Sequence, residues 1–398
     1  MDIAAFTDPA VPYTRRAFSP LFCEARSWLT QRFVDAGFAT HVDAAGNLIG
    51  RLKGSEPSSG TIMIGSHSDT VSGGGRFDGV AGVIAALEIG RAAKSDGTPL
   101  RYNLEIVDFL AEEPNAFGLS CVGSRGISGE LNAAHLAYKE PGGETLAQAI
   151  ARMGGNPDKI PHAKRTDVKA FFELHIEQGP VLEIEALDVG VVTAIVGIRR
   201  IEIVFHGEAN HAGTTPMNLR RDSAAAAAES MSLIRKLAEE YAQAGDGHFV
   251  ATIGIVENFP NAANVIPEKT RLVIDARSES RSRMESFYAA LDQGTAEIAG
   301  ALRVVRDPLN MLSDSLPSVC DRGLRSLLCT TATKLGFSNR EMASGAGHDC
   351  AFMTRIAPSA MVFTPCRAGR SHASEEWAEP EALANGASVI ADAIRAIG

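Results

Sequence analysis

Four short apolar runs each lead into a residue able to hold a metal or carry a proton, and this arrangement restricts the fold more than any other feature. Thr61-Ile-Met-Ile64 precedes His67, Leu104-Glu-Ile-Val-Asp-Phe-Leu110 precedes Glu112-Glu113, Phe171-Phe-Glu-Leu174 precedes His175, and Ala360-Met-Val-Phe363 precedes the loop holding His372. Runs this short and apolar read as strands buried on both faces. Helical spacing lies between and after them, over Val80 to Ala93, Leu324 to Leu335 and Ala382 to Ile397. Strands alternating with helices, each strand ending in a reactive group, predict an α/β sheet with its site along one edge. Near the N-terminus the spacing predicts a helix over 14–37 and two short strands between Thr40 and Leu52 around the turn Ala45-Gly-Asn47.

The pattern changes near Ile198. A strand (Arg200 to His206), an Ala-rich helix (Arg221 to Ala242), strands at Phe249 to Val256 and Thr270 to Asp275, a helix (Met284 to Ala301) and a strand (Leu302 to Val305) follow in the order β-α-β-β-α-β, which is the ferredoxin-like unit. Because α/β material resumes afterwards, the unit reads as an insertion. The expected division is residues 1–197 and 312–398 as one mixed-sheet catalytic domain, with 198–311 inserted. A chain of 398 residues is also too long for one simple core.

A net charge of −10 without a Lys/Arg-rich block argues against nucleic acid or an anionic membrane as the main partner. No apolar run spans a bilayer, and Met1-Asp-Ile-Ala-Ala-Phe-Thr-Asp8 lacks the basic and apolar regions of a secretory leader. The cysteines at 23, 121, 320, 329, 350 and 366 form no C-x-x-C pair, so neither a zinc knuckle nor a dithiol motif is indicated, and such scattered thiols fit a reducing cytoplasm.

Gly65 to Gly82 offers His67, Asp69 and Asp78 in a glycine-rich loop between a strand and a helix. Read alone, it is either a polar βα turn or half of a metal site, with the glycines at 73 to 75 as slack that lets Asp78 reach. Among ten histidines, position singles out His67, His175 and His372, with Asp78 and Glu113 as carboxylates at equivalent strand ends. Imidazole nitrogen with carboxylate oxygen suits zinc, manganese, cobalt or nickel and does not suit calcium. Taken alone, Glu112-Glu113 reads as an exposed acidic pair opening a helix. If one of the two coordinates a metal, the other can act as general base.

Together these stretches resemble the dinuclear amidohydrolases of the M20 type. The resemblance rests on Gly65-Ser-His-Ser-Asp-Thr70, Asp78-Gly-Val-Ala-Gly82, Glu112-Glu113 and Glu173-Leu-His-Ile-Glu-Gln-Gly-Pro180. His211-Ala-Gly-Thr-Thr-Pro-Met217, Asn264-Val-Ile-Pro267, Asp275-Ala-Arg277, Gly345-Ala-Gly-His-Asp349 and Ser371-His372 narrow it to the N-carbamoyl-L-amino-acid hydrolase, allantoate amidohydrolase and ureidopropionase branch, which Thr14-Arg-Arg-Ala-Phe-Ser19 and Asp43-Ala-Ala-Gly-Asn-Leu48 also fit. The resemblance implies two divalent ions, one held by His67, Asp78 and His175 and the other by Asp78, Glu113 and His372. It implies Glu112 as acid/base and Asp69 behind His67 as its orienting group. Gln178, His211, Asn264, Arg277 and His348 are implied to hold the carboxylate and ureido groups of the substrate, with His211 also donating to the oxyanion. It further implies a homodimer through the inserted lid domain, because His211 and its neighbours must arrive by closure or from a second subunit. Arg199-Arg200 and Arg220-Arg221 read as solvated charge.

The sequence departs from the family pattern in Pro114-Asn-Ala-Phe117 after the paired glutamates, in Ala373-Ser374 after His372, and in Cys350 where alanine is common. The resulting expectation is an enzyme that hydrolyses the carbamoyl C–N bond of an N-carbamoyl-L-amino acid to amino acid, ammonia and carbon dioxide. Allantoate, ureidoglycolate or carbamoyl-β-alanine hydrolysis is the alternative. A dipeptidase, an N-acyl amino acid hydrolase and a non-catalytic metal-binding interaction protein stand further off.

Overall fold

The computed structural model describes residues 2–97, 100–245 and 247–398, and it divides into two compact units, Met1–Thr193 with Val319–Gly398, and Ala194–Ser318. The chain opens with α1 (Pro20–Asp35), β1 (Ala39–Val42), β2 (Leu48–Leu52), β3 (Thr61–His67), α2 (Val80–Ser95), β4 (Asn103–Phe109), α3 (Val122–Ser128), α4 (Ala133–Leu136), α5 (Leu146–Arg152), β5 (Val168–Ile176), α6 (Val181–Ile184) and β6 (Val189–Ile195). The second unit holds β7 (Gly197–His206), β8 (Asn210–His211), α7 (Ser223–Gln243), β9 (Phe249–Phe259), β10 (Val265–Ile266), β11 (Lys269–Ser278), α8 (Arg281–Ala301), β12 (Val305–Arg306) and β13 (Asn310–Asp314). The first unit resumes with β14 (Ser318–Val319), α9 (Arg322–Lys334), β15 (Asn339–Ser344), α10 (Cys350–Met353), β16 (Ser359–Thr364) and α11 (Pro380–Ile397).

The large sheet runs β1-β2-β4-β3-β5-β16-β6-β14, with β15 also against β6. Its centre, β4-β3-β5-β16, is parallel, and β1, β2 and β6 are antiparallel additions, so the sheet is mixed as expected. Every residue of β3, β4 and β16 is buried, which explains why these segments read as unbroken apolar runs. α2 and α11 cover one face, and their apolar residues join Ile62, Ile64, Ile106, Phe172 and Val362 in one core. Strand β3 lies between β4 and β5, where strand order reverses, and the carboxyl ends of all four parallel strands open on one edge.

In the second unit, antiparallel strands run β12-β7-β11-β9 with β13 also on β7, and α7 and α8 pack on them through Ala226, Ile234, Phe287 and Leu291. The two-residue ladder β8–β10 sets His211 opposite Val265.

Boundaries differ from the sequence reading where local chemistry overrides spacing. α1 begins at Pro20, not near 14, because Ser19 Oγ accepts from the Phe22 N–H (3.2 Å) and Pro20 takes the first helical position. Residues 13–15 instead run along the loop after β3, through the pairs Thr70 N–H to Arg15 O (3.0 Å) and Gly74 N–H to Tyr13 O (3.1 Å). Leu302 to Val305 shortens to Val305–Arg306, and the edge of β7 is completed by β13. Sequence spacing assigned neither β6 and β15 nor α3 and α5. Arg199 is buried and forks onto Asp314 (3.0 and 3.2 Å), so it is not solvated charge.

α2 lies close enough to β5 that a Cβ on Gly82 would stand 2.3 Å from Leu174 O. Gly82→Ala therefore forces helix and sheet apart, and we expect a loss of roughly 1–3 kcal/mol. The readout is a lower urea midpoint at constant m-value; an unchanged midpoint would show that the close approach is dispensable.

Candidate metal centre

Each element ending on the open edge delivers part of one cluster. His67 closes β3, His175 lies in β5, Glu112 and Glu113 follow β4, Asp78 ends the loop into α2, and His372 lies in the loop after β16. His67, Asp78, Glu112, Glu113 and His175 are buried, and the side chain of His372 is about half exposed. Three groups of possible ligand atoms result among the described residues: His67, Asp78 and His175; Asp78, Glu113 and His372; and Glu173, His175 and His348. Asp78 belongs to the first two. Its Oδ1 is 3.2 Å from His175 Nε2, and its Oδ2 is 2.9 Å from His372 Nε2. His372 Nε2 is also 3.2 Å from Glu113 Oε1.

Hydrogen bonds define the imidazole tautomers. His67 Nδ1 lies 3.0 Å from Asp69 O, and His175 Nδ1 lies 2.9 Å from Ile176 O. A carbonyl oxygen only accepts, so both Nδ1 atoms carry hydrogen and both Nε2 lone pairs turn inward. His175 Nε2 accepts from the Gly79 N–H at 3.2 Å, and His67 Nε2 faces Glu112 Oε2 at 3.7 Å. Lone pairs thus converge on carboxylate oxygens. Such an arrangement calls for protons or a cation between its members, and nitrogen with carboxylate oxygen fits a divalent transition ion.

The same demand for positive charge favours protons on the rings. Burial would lower His67, but Glu112, Asp69, Asp78 and Glu113 together hold it well above the ordinary imidazole value. Burial likewise opposes protonation of His175, and the neighbouring Asp78 and Glu173 carboxylates together outweigh it. Hydrogen bonds to Asp78 and Glu113 push His372 to about 10. Burial would raise Asp78, yet bonds from His175 and His372 keep it well below the usual carboxylate range. Burial, reinforced by Asp349, Glu113 and Asp69, drives Glu112 well up. Such an elevated carboxyl, standing beside the ligands, is the kind of group that accepts and returns a proton.

The groups around the cluster differ in detail from the sequence reading. Asp69 orients His67 through its backbone carbonyl, while its carboxylate accepts the N–H groups of Glu112 and Glu113, both at 3.2 Å. The acidic pair therefore opens no helix; its backbone is held by another acid. Gln178 donates Nε2 to Asp78 Oδ1 (3.2 Å) and to Ser371 Oγ (3.1 Å), so its amide nitrogen is engaged with a ligand. His348 is buried against the His175 ring, 4.5 Å between centroids, with Nε2 2.8 Å from Ser344 Oγ. Glu173 lies beneath His175, accepting from Ser66 Oγ (2.7 Å) and Cys350 N–H (3.1 Å).

His211, Asn264 and Arg277 belong to the second unit. His211 is exposed, and its Nδ1 accepts from the Gly213 N–H (3.1 Å), which leaves the hydrogen on Nε2 as a donor. Asn264 O accepts from Ala212 N–H (3.0 Å), and Arg277 Nε donates to Asp275 Oδ1 (2.7 Å).

Sequence reasoning missed three groups. Glu376, buried, accepts the N–H groups of Phe77 (2.7 Å) and Asp78 (3.1 Å) and the Ser371 hydroxyl (2.9 Å), tying the Asp78 loop to the His372 loop. With that bond and the N-terminal segment against it, the loop at 73 to 75 is braced and not slack. Arg15, also buried, donates to Ser68 O (2.9 Å) and to Ile3 O and Phe6 O (both 3.1 Å). Arg220 holds the His211 loop through Thr215 O (3.1 Å) and Ala212 O (2.5 Å), so it too is more than solvated charge. The local signals were the Glu375-Glu376 doublet close to His372, the stretch Thr14-Arg-Arg-Ala-Phe-Ser19 and the pair Arg220-Arg221, none of which shows the partner it grips.

Gly79 has φ +64°, and a Cβ there would stand 2.4 Å from His67 Nε2. Gly79→Ala should displace that ring and weaken divalent-ion binding by on the order of 10–100-fold. Titration of the metal-free protein with manganese or cobalt measures this; unchanged affinity would remove His67 from the centre.

The sequence matches peptidase family M20/M25/M40 over residues 57–396. A ureidoglycolate hydrolase of Oryza sativa subsp. japonica is 36% identical over 397 residues, 98% of this chain and 81% of the relative. An N-carbamoyl-L-amino-acid amidohydrolase of Paenarthrobacter aurescens is 34% identical over 399 residues, 100% of this chain and 96% of the relative. An amidase of the hydantoinase/carbamoylase family from Burkholderia multivorans superposes with a TM-score of 0.92 at 32% identity, covering 100% of this chain and 95% of that one.

Proposed function

The chain belongs to peptidase family M20/M25/M40, and on that premise we propose that it is a metal-dependent amidohydrolase that cleaves the carbamoyl C–N bond of an N-carbamoyl-L-amino acid. The observation that carries the reading is Asp78, whose two oxygens face two separate ligand groups with the elevated carboxyl of Glu112 alongside. We assign one ion to His67, Asp78 and His175 and the second to Asp78, Glu113 and His372. When bound, the two divalent ions supply Lewis-acid polarisation of the carbamoyl group and a water made acidic enough to deprotonate near neutral pH.

Glu112 takes the proton of the attacking water and returns it to the amino-acid nitrogen as the C–N bond breaks, the usual exchange of base and acid roles. The amino acid leaves, and the carbamate left behind decays to ammonia and carbon dioxide. Asp69 fixes the base by holding its N–H and that of Glu113. His211, with hydrogen on Nε2, donates to the developing oxyanion. Arg277 and Asn264 receive the substrate carboxylate, for which a guanidinium fork is suited, and Gln178 and His348 border the ureido group.

We assign His211, Asn264 and Arg277 to a lid unit that also forms a homodimer, so that a second copy completes each site. Strand β9 supports this. It lies at the edge of its sheet, pairs among the described residues only with β11, and leaves Val250, Ile255, Val256 and Phe259 between 41% and 53% exposed. A long apolar edge strand in water invites pairing across a two-fold axis. Among the described residues no helix is long and apolar enough to cross a membrane.

Ureidoglycolate or allantoate hydrolysis is the second reading, favoured by the 36% identity to the Oryza sativa enzyme. N-carbamoyl-L-amino acids, allantoate, ureidoglycolate and carbamoyl-β-alanine, assayed for ammonia with manganese, separate the two. Preference for any but the first group overturns the substrate assignment, and ammonia-free cleavage of dipeptides overturns the reaction class. Glu112→Gln should keep its metal and lose roughly 10²–10⁴ in kcat; near-normal turnover would refute the base assignment. In sedimentation we expect a dimer, and a fully active monomer would refute the shared site.

A further inference from the structure

Between Glu112 and α3 the chain makes a closed excursion. It leaves β4, passes Glu113 and Pro114, and turns at Asn115, whose side chain accepts from Phe117 N–H (3.0 Å) and donates to Leu119 O (2.7 Å). It returns at Cys121, in the left-handed region at φ 56°, immediately before the first residue of α3. The first N–H groups of a helix have no partners within it. Here Cys121, Val122 and Gly123 donate to the carbonyls of Glu112 (2.8 Å), Ala111 (3.1 Å) and Leu110 (2.8 Å). The helix start is thereby laid along the segment that carries the base.

Cys121 makes a second contact with the same residue. Its thiol lies 3.4 Å from Glu112 Oε1, and both residues are buried, 6% and 7% exposed. Among the described residues this is the hydrogen bond the Glu112 carboxylate receives. The other oxygen, Oε2, is the one turned toward His67 Nε2. The two carboxylate oxygens therefore have different surroundings, one clasped by sulfur and one facing the ligands. Burial, with Glu112 and Asp349 adding to it, pushes the thiol well above its usual range, so it stays a donor.

We propose that Cys121 is a positioning residue for the hydrolytic step, clasping Glu112 by backbone and side chain so that Oε2 is presented to the water and the leaving nitrogen. A thiol suits this task because it is a weak donor: it fixes the rotamer and withdraws little of the charge that the base needs. The inference rests on Glu112 as the base.

The test measures kcat and KM of Cys121→Ala and Cys121→Ser in the manganese-loaded enzyme, on the best substrate of the panel above, with metal content and melting temperature. Loss of the clasp should lower kcat roughly tenfold at unchanged KM, metal content and Tm in Cys121→Ala, and the serine hydroxyl should restore most of it. A Cys121→Ala kcat within about twofold of wild type overturns the proposal, as does equal impairment of both variants or a joint loss of metal or Tm, since packing would then be the role. Glu112→Gln distinguishes the two levels. If it turns over normally, the base assignment fails; if it is inactive while Cys121→Ala is unimpaired, only the clasp fails.

Discussion

The buried carboxylate of Asp78 is the constraint on which the rest of this structure turns. It touches His175 with one oxygen and His372 with the other, and Glu112 and Glu113 stand within the same small volume. Several acids this close, cut off from water, repel one another unless protons or cations lie between them. The inward lone pairs of His67 and His175 deepen the demand for positive charge. A divalent centre resolves both conflicts at once, which is why residues that would be costly in an ordinary core are gathered at this edge.

Holding that cluster together accounts for much of the surrounding architecture. Backbone groups take most of the load. Carbonyls of Asp69 and Ile176 set the imidazole tautomers, and N–H groups of residues 77, 78, 112 and 113 are anchored on the buried acids Glu376 and Asp69. The N-terminal segment, read from spacing as the start of a helix, runs instead along the Asp78 loop, with Arg15 donating to the Ser68 carbonyl. Strained positions concentrate here as well, with Ala111, Cys121, Gln178 and His372 all at positive φ. A similar economy appears in the second unit, where Gly213 sets the tautomer of His211 and Arg220 braces its loop.

What the sequence by itself determined is the set of strands and the chemistry at their ends. Parallel strands buried on both faces must be continuous apolar runs, so β3, β4, β5 and β16 were visible, and with them His67, Glu112, Glu113 and His175. Asp78 and His372 lie in loops, which no periodicity marks; position after a strand made them candidates, and motif resemblance alone gave each its place in a ligand set. Short or polar elements such as β15 and α3 were invisible, since packing and capping decide them more than local preference does. Only the tertiary structure decided which oxygen of Asp78 faces which histidine, that Asp69 works through its carbonyl on one side and its carboxylate on the other, and that Glu376 and Cys121 grip the residues they do. Hydrogen bonds act over about 3 Å, and partners separated by 299 residues, as Phe77 and Glu376 are, share no signal along the chain. Their pairing exists only once the sheet has brought its strand ends to one edge.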